Sequence, residues 1–189
     1  VRRLAVYCGA SMGADPLFEG TARDLGEEMA RRGIDLVYGG GHRGLMGVVA
    51  DAVLEAGGRA FGVIPQALVD LEVAHTGLTK LHTVASMHER KAKMTELTDA
   101  FVAIPGGIGT LDELFEAWTW NALGYHSKPF CLLNVAGFWD RLIGFLDHVT
   151  ESGFMSPERR AQLLVADDIG ESIEKLDAAI EAAETRMVW

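Results

Sequence analysis

Short apolar runs and amphipathic helical segments alternate along this chain from one end to the other, and few architectures accept such a pattern. Residues 4–8, 34–38, 60–64, 81–85, 100–104, 129–135 and 163–166 read as strands, most of them continuously apolar. Between them, residues 16–32, 45–56, 87–98, 110–123, 139–152 and 169–184 carry apolar positions near helical spacing. Residues 66–80 have no clean period and read as a loop carrying a broken helix. Strands apolar on both sides, each followed by a helix, require a parallel sheet covered on both faces. The pattern therefore predicts an α/β fold: one doubly wound, Rossmann-type parallel sheet with helices on both faces, formed by residues 1–189 as a single domain. Ligands of such sheets bind where loops converge at the carboxyl ends of the strands.

The loop after the fifth strand carries the strongest chemical signal. Pro105-Gly106-Gly107-Ile108-Gly109-Thr110-Leu111-Asp112-Glu113 runs from an apolar strand through a glycine-rich turn into a helix. Such a turn aims backbone N–H groups at one point, which suits an anion and phosphate above all. Gly106, Gly107, Ile108, Gly109 and Thr110 are thus candidate phosphate contacts. Asp112 and Glu113 fall in the first helical turn, where the helix dipole favours acids whatever the function. A plain phosphate cradle has no use for them, whereas a carboxylate beside a bound sugar phosphate can hold ribose hydroxyls.

A second glycine turn, Gly39-Gly40-Gly41-His42-Arg43-Gly44, has the G-x-G-x-x-G spacing of dinucleotide sites. The acid expected after the next strand is missing, since Ile64-Pro65-Gln66 stands there, which argues against NAD. No Walker lysine follows either. The turn serves tight packing alone or, as the better reading, Gly40 and Gly41 line a phosphate or ribose. A third segment, Met87-His88-Glu89-Arg90-Lys91, opens a helix at the mouth of the expected site, which makes Met87, Arg90 and Lys91 candidate substrate contacts. Ser86 and Glu89 fit a capping box, which needs no function. Arg90 does not fit it: a cation near the positive end of a helix is unfavourable unless an anion or carboxylate is close.

With 17 basic and 27 acidic residues the net charge is −10, which argues against nucleic-acid binding. The two cysteines, Cys8 and Cys131, lie in apolar runs and read as buried free thiols of a reducing compartment. No apolar segment is long enough to span a bilayer and no signal-peptide pattern precedes the first strand, so the expected location is the cytoplasm. The six histidines lack metal-ligand spacing, and neither metal nor cofactor is expected. Residues 110–123 are apolar around most of the helix, through Leu114, Phe115, Ala117, Trp118, Trp120 and Leu123; such a helix is fully buried or shared, and a homodimer seam is the favoured reading.

The three motifs together resemble the LONELY GUY family of cytokinin-activating phosphoribohydrolases. The Pro105–Glu113 stretch matches that family's P-G-G-x-G-T-x-x-E pattern, and Tyr7-Cys8-Gly9-Ala10-Ser11 and Leu132-Leu133-Asn134-Val135 are also similar. The resemblance implies hydrolysis of the N-glycosidic bond of AMP or an N6-substituted adenine nucleotide, giving the free base and ribose 5-phosphate. It also implies that Arg90 and Glu113 are the catalytic pair and that Glu72 contacts substrate. Glu113, with an ordinary carboxyl pKa of about 4.3, is expected to be ionised at neutral pH. Family members are often labelled lysine decarboxylases, but no pyridoxal-phosphate lysine environment is readable here. The rival reading from another class is a nucleotide- or cofactor-binding carrier that holds its ligand without cleaving it.

Overall fold

The alternation of β and α segments is realised as a seven-stranded, wholly parallel sheet. In a computed structural model that describes residues 1–69, 71 and 74–186, the strands are β1 (Arg3–Tyr7), β2 (Asp35–Tyr38), β3 (Ala60–Pro65), β4 (Lys80–Val84), β5 (Ala100–Ala103), β6 (Phe130–Leu133) and β7 (Leu163–Ala166). The helices are α1 (Pro16–Arg31), α2 (Gly44–Glu55), α3 (Gln66–Val69), α4 (Met87–Leu97), α5 (Ile108–Ala122), α6 (Asp140–Glu151), α7 (Pro157–Ala161) and α8 (Ile169–Arg186).

Side chains alternate across the sheet and so divide the core in two. Leu4 and Val6 of β1 join Leu25 and Met29 of α1, Val49 and Val53 of α2, and Ile173 and Leu176 of α8 on one face. Ala5 and Tyr7 join Met94 of α4, Leu114 and Trp118 of α5, and Leu146 of α6 on the other. Both faces are therefore covered, as continuous apolar strands demand.

Strand order is β4-β3-β2-β1-β5-β6-β7. The chain winds outward from β1 to β4, then α4 carries it back so that β5 pairs with β1, with Ala5 opposite Phe101 and Tyr7 opposite Ala103. The winding reverses between β1 and β5. The loops leaving those two strands diverge there and open a crevice above the carboxyl ends.

Some local details differ from the sequence expectation. Helix α5 begins at Ile108 rather than Thr110, because Gly107 takes the extended N-cap conformation. Residues 134–135 leave the β6 strand, and Val135–Gly137 form a single 3₁₀ turn. Helix α7 was not expected, although Ser156 caps it by accepting the Arg159 N–H at 3.2 Å and Pro157 stands at its first position. The capping box at α4 is present in a shifted form: Ser86 accepts the Glu89 N–H at 3.1 Å, while Glu89 reaches back to the N–H of Ala85.

Candidate active site

Above the β1/β5 switch point lies a cavity of about 360 Å³. Its walls come from the loop after β1 (Cys8, Gly9, Ala10, Ser11), from Met46 on α2, from Met87 and Arg90 on α4, and from Gly107 through Thr110 with Asp112 and Glu113 on α5. A larger depression of about 730 Å³ sits at the opposite ends of β6 and β7, lined by residues such as Asn121, Pro129, Gln162 and Ala179, and among the described residues its lining has no Lys, Arg, Asp or Glu.

The anion-binding wall follows from how α5 starts. Its N-cap is a glycine with no side-chain acceptor, and the first helical bond is the Leu111 N–H to Gly107 O at 3.1 Å. The N–H groups of Ile108, Gly109 and Thr110 therefore face the cavity with no helical partner. The Thr110 hydroxyl is buried and also without a hydrogen-bond partner. Gly106 lies behind this wall: a Cβ there would stand 2.1 Å from Thr110 Oγ1 and 2.8 Å from Gly9 N, so only glycine lets the β1 loop and α5 come this close.

Arg90 is buried, at 8% exposure, on the first turn of α4. Its Nε donates to Val63 O at 3.1 Å and its Nη2 to Gly39 O at 2.9 Å, one carbonyl within the last residues of β3 and one just past the end of β2. Nη1 is left with only the Met87 sulfur, 3.7 Å away. Two carbonyls fix the plane of the guanidinium without neutralising it, and among the described residues no carboxylate pairs with it. An arginine buried this way needs an anion. Gly39 explains how it fits, because a Cβ at that position would lie 1.8 Å from Nη2.

Across the cavity, the Glu113 carboxyl is pushed up to about 7, first by loss of solvent. Asp112 and Glu116 raise it further, while Arg90 and Lys91 oppose the rise. The expectation of a fully ionised Glu113 at neutral pH thus changes: the group sits near its midpoint, where proton exchange with substrate or water is easiest. Cys8 lines the same space, but burial and the nearby Glu113 hold its thiol protonated far above its ordinary range, so it is not a nucleophile.

The motifs converge unevenly. Met87, Arg90, Gly107, Ile108, Gly109, Thr110, Asp112 and Glu113 line the cavity. Lys91 does not; its ammonium is held by Asp112 and Glu116, each at 3.0 Å. Gly40 and Gly41 also stand outside its lining. Gly40 has φ +74° and packs beside Ile64 and Leu81, and Gly41 bridges to Ala74, so this turn shapes the backbone around Arg90. Glu72 lies outside the described residues. Cys8, Gly9, Ala10, Ser11 and Met46 were not foreseen as site residues, although the rule that ligands bind beyond the carboxyl end of a central strand points to the β1 loop. Among the described residues no group of three His, Cys, Asp or Glu side chains is placed to hold a metal ion.

Residues 46–176 match a family model described as "possible lysine decarboxylase". No lysine lines the cavity among the described residues. The cytokinin riboside 5′-monophosphate phosphoribohydrolase LOG of Oryza sativa subsp. japonica is 44% identical over 188 residues, covering 100% of this chain and 78% of its own length. The phosphoribohydrolase LOG3 of Arabidopsis thaliana is 44% identical over 191 residues, covering 100% of this chain and 89% of its own. Among solved structures, the molybdenum cofactor binding protein of Rippkaea orientalis superposes with a TM-score of 0.72 over 94% of this chain and 96% of that one; at 21% identity it shares the fold alone. With such identity along its whole length to these enzymes, the chain belongs to the LONELY GUY family of phosphoribohydrolases.

Proposed function

We propose that this protein hydrolyses the N-glycosidic bond of adenine nucleoside 5′-monophosphates, AMP or its N6-substituted forms, releasing the base and ribose 5-phosphate. The observation that carries this reading is the meeting of Arg90, Glu113 and the open N-terminus of α5 in one cavity. The free amides of Ile108, Gly109 and Thr110, with the Thr110 hydroxyl, receive the 5′-phosphate. That contact sets the ribose beside Glu113. The Glu113 carboxylate accepts hydrogen bonds from ribose hydroxyls and stabilises the positive charge that grows on the sugar as the C1′–N bond stretches. Water adds to C1′, the bond to the base breaks, and the proton given up by the water ends on the departing base. Arg90 is held rigid by two carbonyls and presents its remaining N–H edge to the phosphate or to the leaving base.

A carrier would bind the same phosphate, but it gives a desolvated carboxyl near its midpoint no task. The buried, unpaired Cys8 and Cys131 favour a reducing, cytoplasmic setting. The α5 region is proposed as the seam of a homodimer.

The test is to incubate the protein with AMP and with N6-isopentenyl-AMP, with chelator present, and to follow free base by chromatography. Glu113→Gln is expected to lower kcat by about 10²-fold or more with KM changed little. Base release by Glu113→Gln at the wild-type rate overturns the assignment.

A further inference from the structure

Lys91 follows Arg90 on α4, yet its side chain does not join the cavity lining and crosses instead to α5. There Nζ stands 3.0 Å from Asp112 Oδ2 and 3.0 Å from Glu116 Oε2. The lysine is only 13% exposed and Glu116 23%, so this arm of the fork is largely withdrawn from water, unlike an ordinary surface pair, while the Asp112 arm, 57% exposed, lies at the surface. Asp112 and Glu116 are four residues apart on one helix, where two like charges repel. Between them in sequence stands Glu113. Three carboxylates therefore crowd the first turns of α5, and the cation that joins two of them comes from the helix that carries Arg90.

We propose that Lys91 is a positioning residue that clamps the Glu113 turn of α5 to the Arg90 turn of α4 through Asp112 and Glu116. The two site residues sit on elements that the sheet does not hold together directly, since α4 follows the edge strand β4 and α5 follows the central strand β5. Arg90 ties its own turn to the sheet through Val63 O and Gly39 O, and the Lys91 fork ties that turn to α5. The same ammonium counters the two carboxylates nearest Glu113. The charged groups that act on Glu113 are Arg90 and Lys91 from α4 and Asp112 and Glu116 from its own helix, and its charge in turn reaches Tyr7 of β1 and Cys8 of the loop after it; of all these only Arg90 and Lys91 are cationic. Its importance for turnover rests on the hydrolase reading; its effect on Glu113 does not.

The experiment compares Lys91→Met, which keeps the stem and removes the charge, with Lys91→Arg, which keeps the charge. Two readouts are taken: kcat and KM with AMP or N6-isopentenyl-AMP, and the titration midpoint of Glu113 from the ¹³C shift of its carboxyl carbon. Lys91→Met is expected to lose about 10-fold in kcat, with KM within about threefold, and to raise the Glu113 midpoint by about one pH unit. Lys91→Arg restores most of both. Wild-type kcat together with an unmoved midpoint in Lys91→Met overturns the proposal. If Lys91→Met does not fold, Lys91→Gln is read by the same criteria. A wild-type protein that releases no base from either nucleotide removes the hydrolase reading, and the Glu113 midpoint alone then decides for or against the clamp.

Discussion

Glu113 occupies a place that folding alone disfavours. No hydrogen-bond donor among the described residues reaches its carboxylate, and desolvation lifts it from the ordinary 4.5 to about 7. Because the folded value lies above the unfolded one, the folded protein holds an extra proton between those limits. Stability therefore falls as pH rises from about 4.5 to about 7 and stays lowered above that window. Glu113→Gln removes the titration while keeping the shape. It is expected to raise stability by roughly 2 kcal/mol at pH 8 and by almost nothing at pH 4, read from urea unfolding at both values. An equal effect at the two pH values would show that the carboxyl is not desolvated. The position of this acid was legible in the sequence through the motif around it, but its protonation was not. That depends first on burial, in a fold that brings Tyr7 of β1 and Cys8 of the loop after it, more than a hundred residues away, within reach of its charge. The partners of Lys91 were not legible for a related reason: its place beside Arg90 points to a substrate contact, and only the packing of α4 on α5 reveals the two carboxylates beside its ammonium.

At the scale of elements, the strands were readable because a buried parallel strand is apolar on both faces and needs no partner to declare itself. Residues 163–166 were placed without error for that reason. Elements built on glycine or on short local caps were harder to see. The start of α5 looked like turn through Gly109, since glycine is a poor helix former, yet the helix begins at Ile108 because its first turn is pinned to the β1 loop. The pin is Gly106, whose bare Cα allows Thr110 and Gly9 to close on it. Gly106→Ala is expected to push α5 off that loop, raising KM for the nucleotide about 10-fold or more and lowering the melting temperature by several degrees. Calorimetric titration of an inert nucleotide analogue and a melting curve check the two effects. Binding at wild-type strength would mean that the amide wall does not hold the phosphate.

At the scale of the molecule, the sequence predicted the doubly wound sheet, but it did not reveal which strands are neighbours. That follows from α4 returning the chain from the edge to the centre, and this return places Arg90 opposite Glu113. The surface leaves another matter open to test. Helix α5 buries Leu114, Ala117 and Trp118 in the core, but the fold does not cover its far end: Leu123 is 65% exposed, and the neighbouring Tyr125 is 75% exposed. Trp120 packs edge-on to His88 of α4, 5.8 Å between ring centres, so this aromatic surface reaches the neighbouring helix. Large apolar side chains grouped this way mark an association surface, and a closed two-fold pairing is the commonest way to cover one. The expected outcome is a solution mass twice the 20.4 kDa of one chain, measured by light scattering after gel filtration. Leu123→Glu places a charge where the core has no stake. It is expected to shift the protein toward the single-chain mass without lowering its melting temperature by more than a degree or two. A wild-type protein that runs as a single chain at tens of micromolar removes the seam, and a Leu123→Glu variant that stays paired moves it elsewhere.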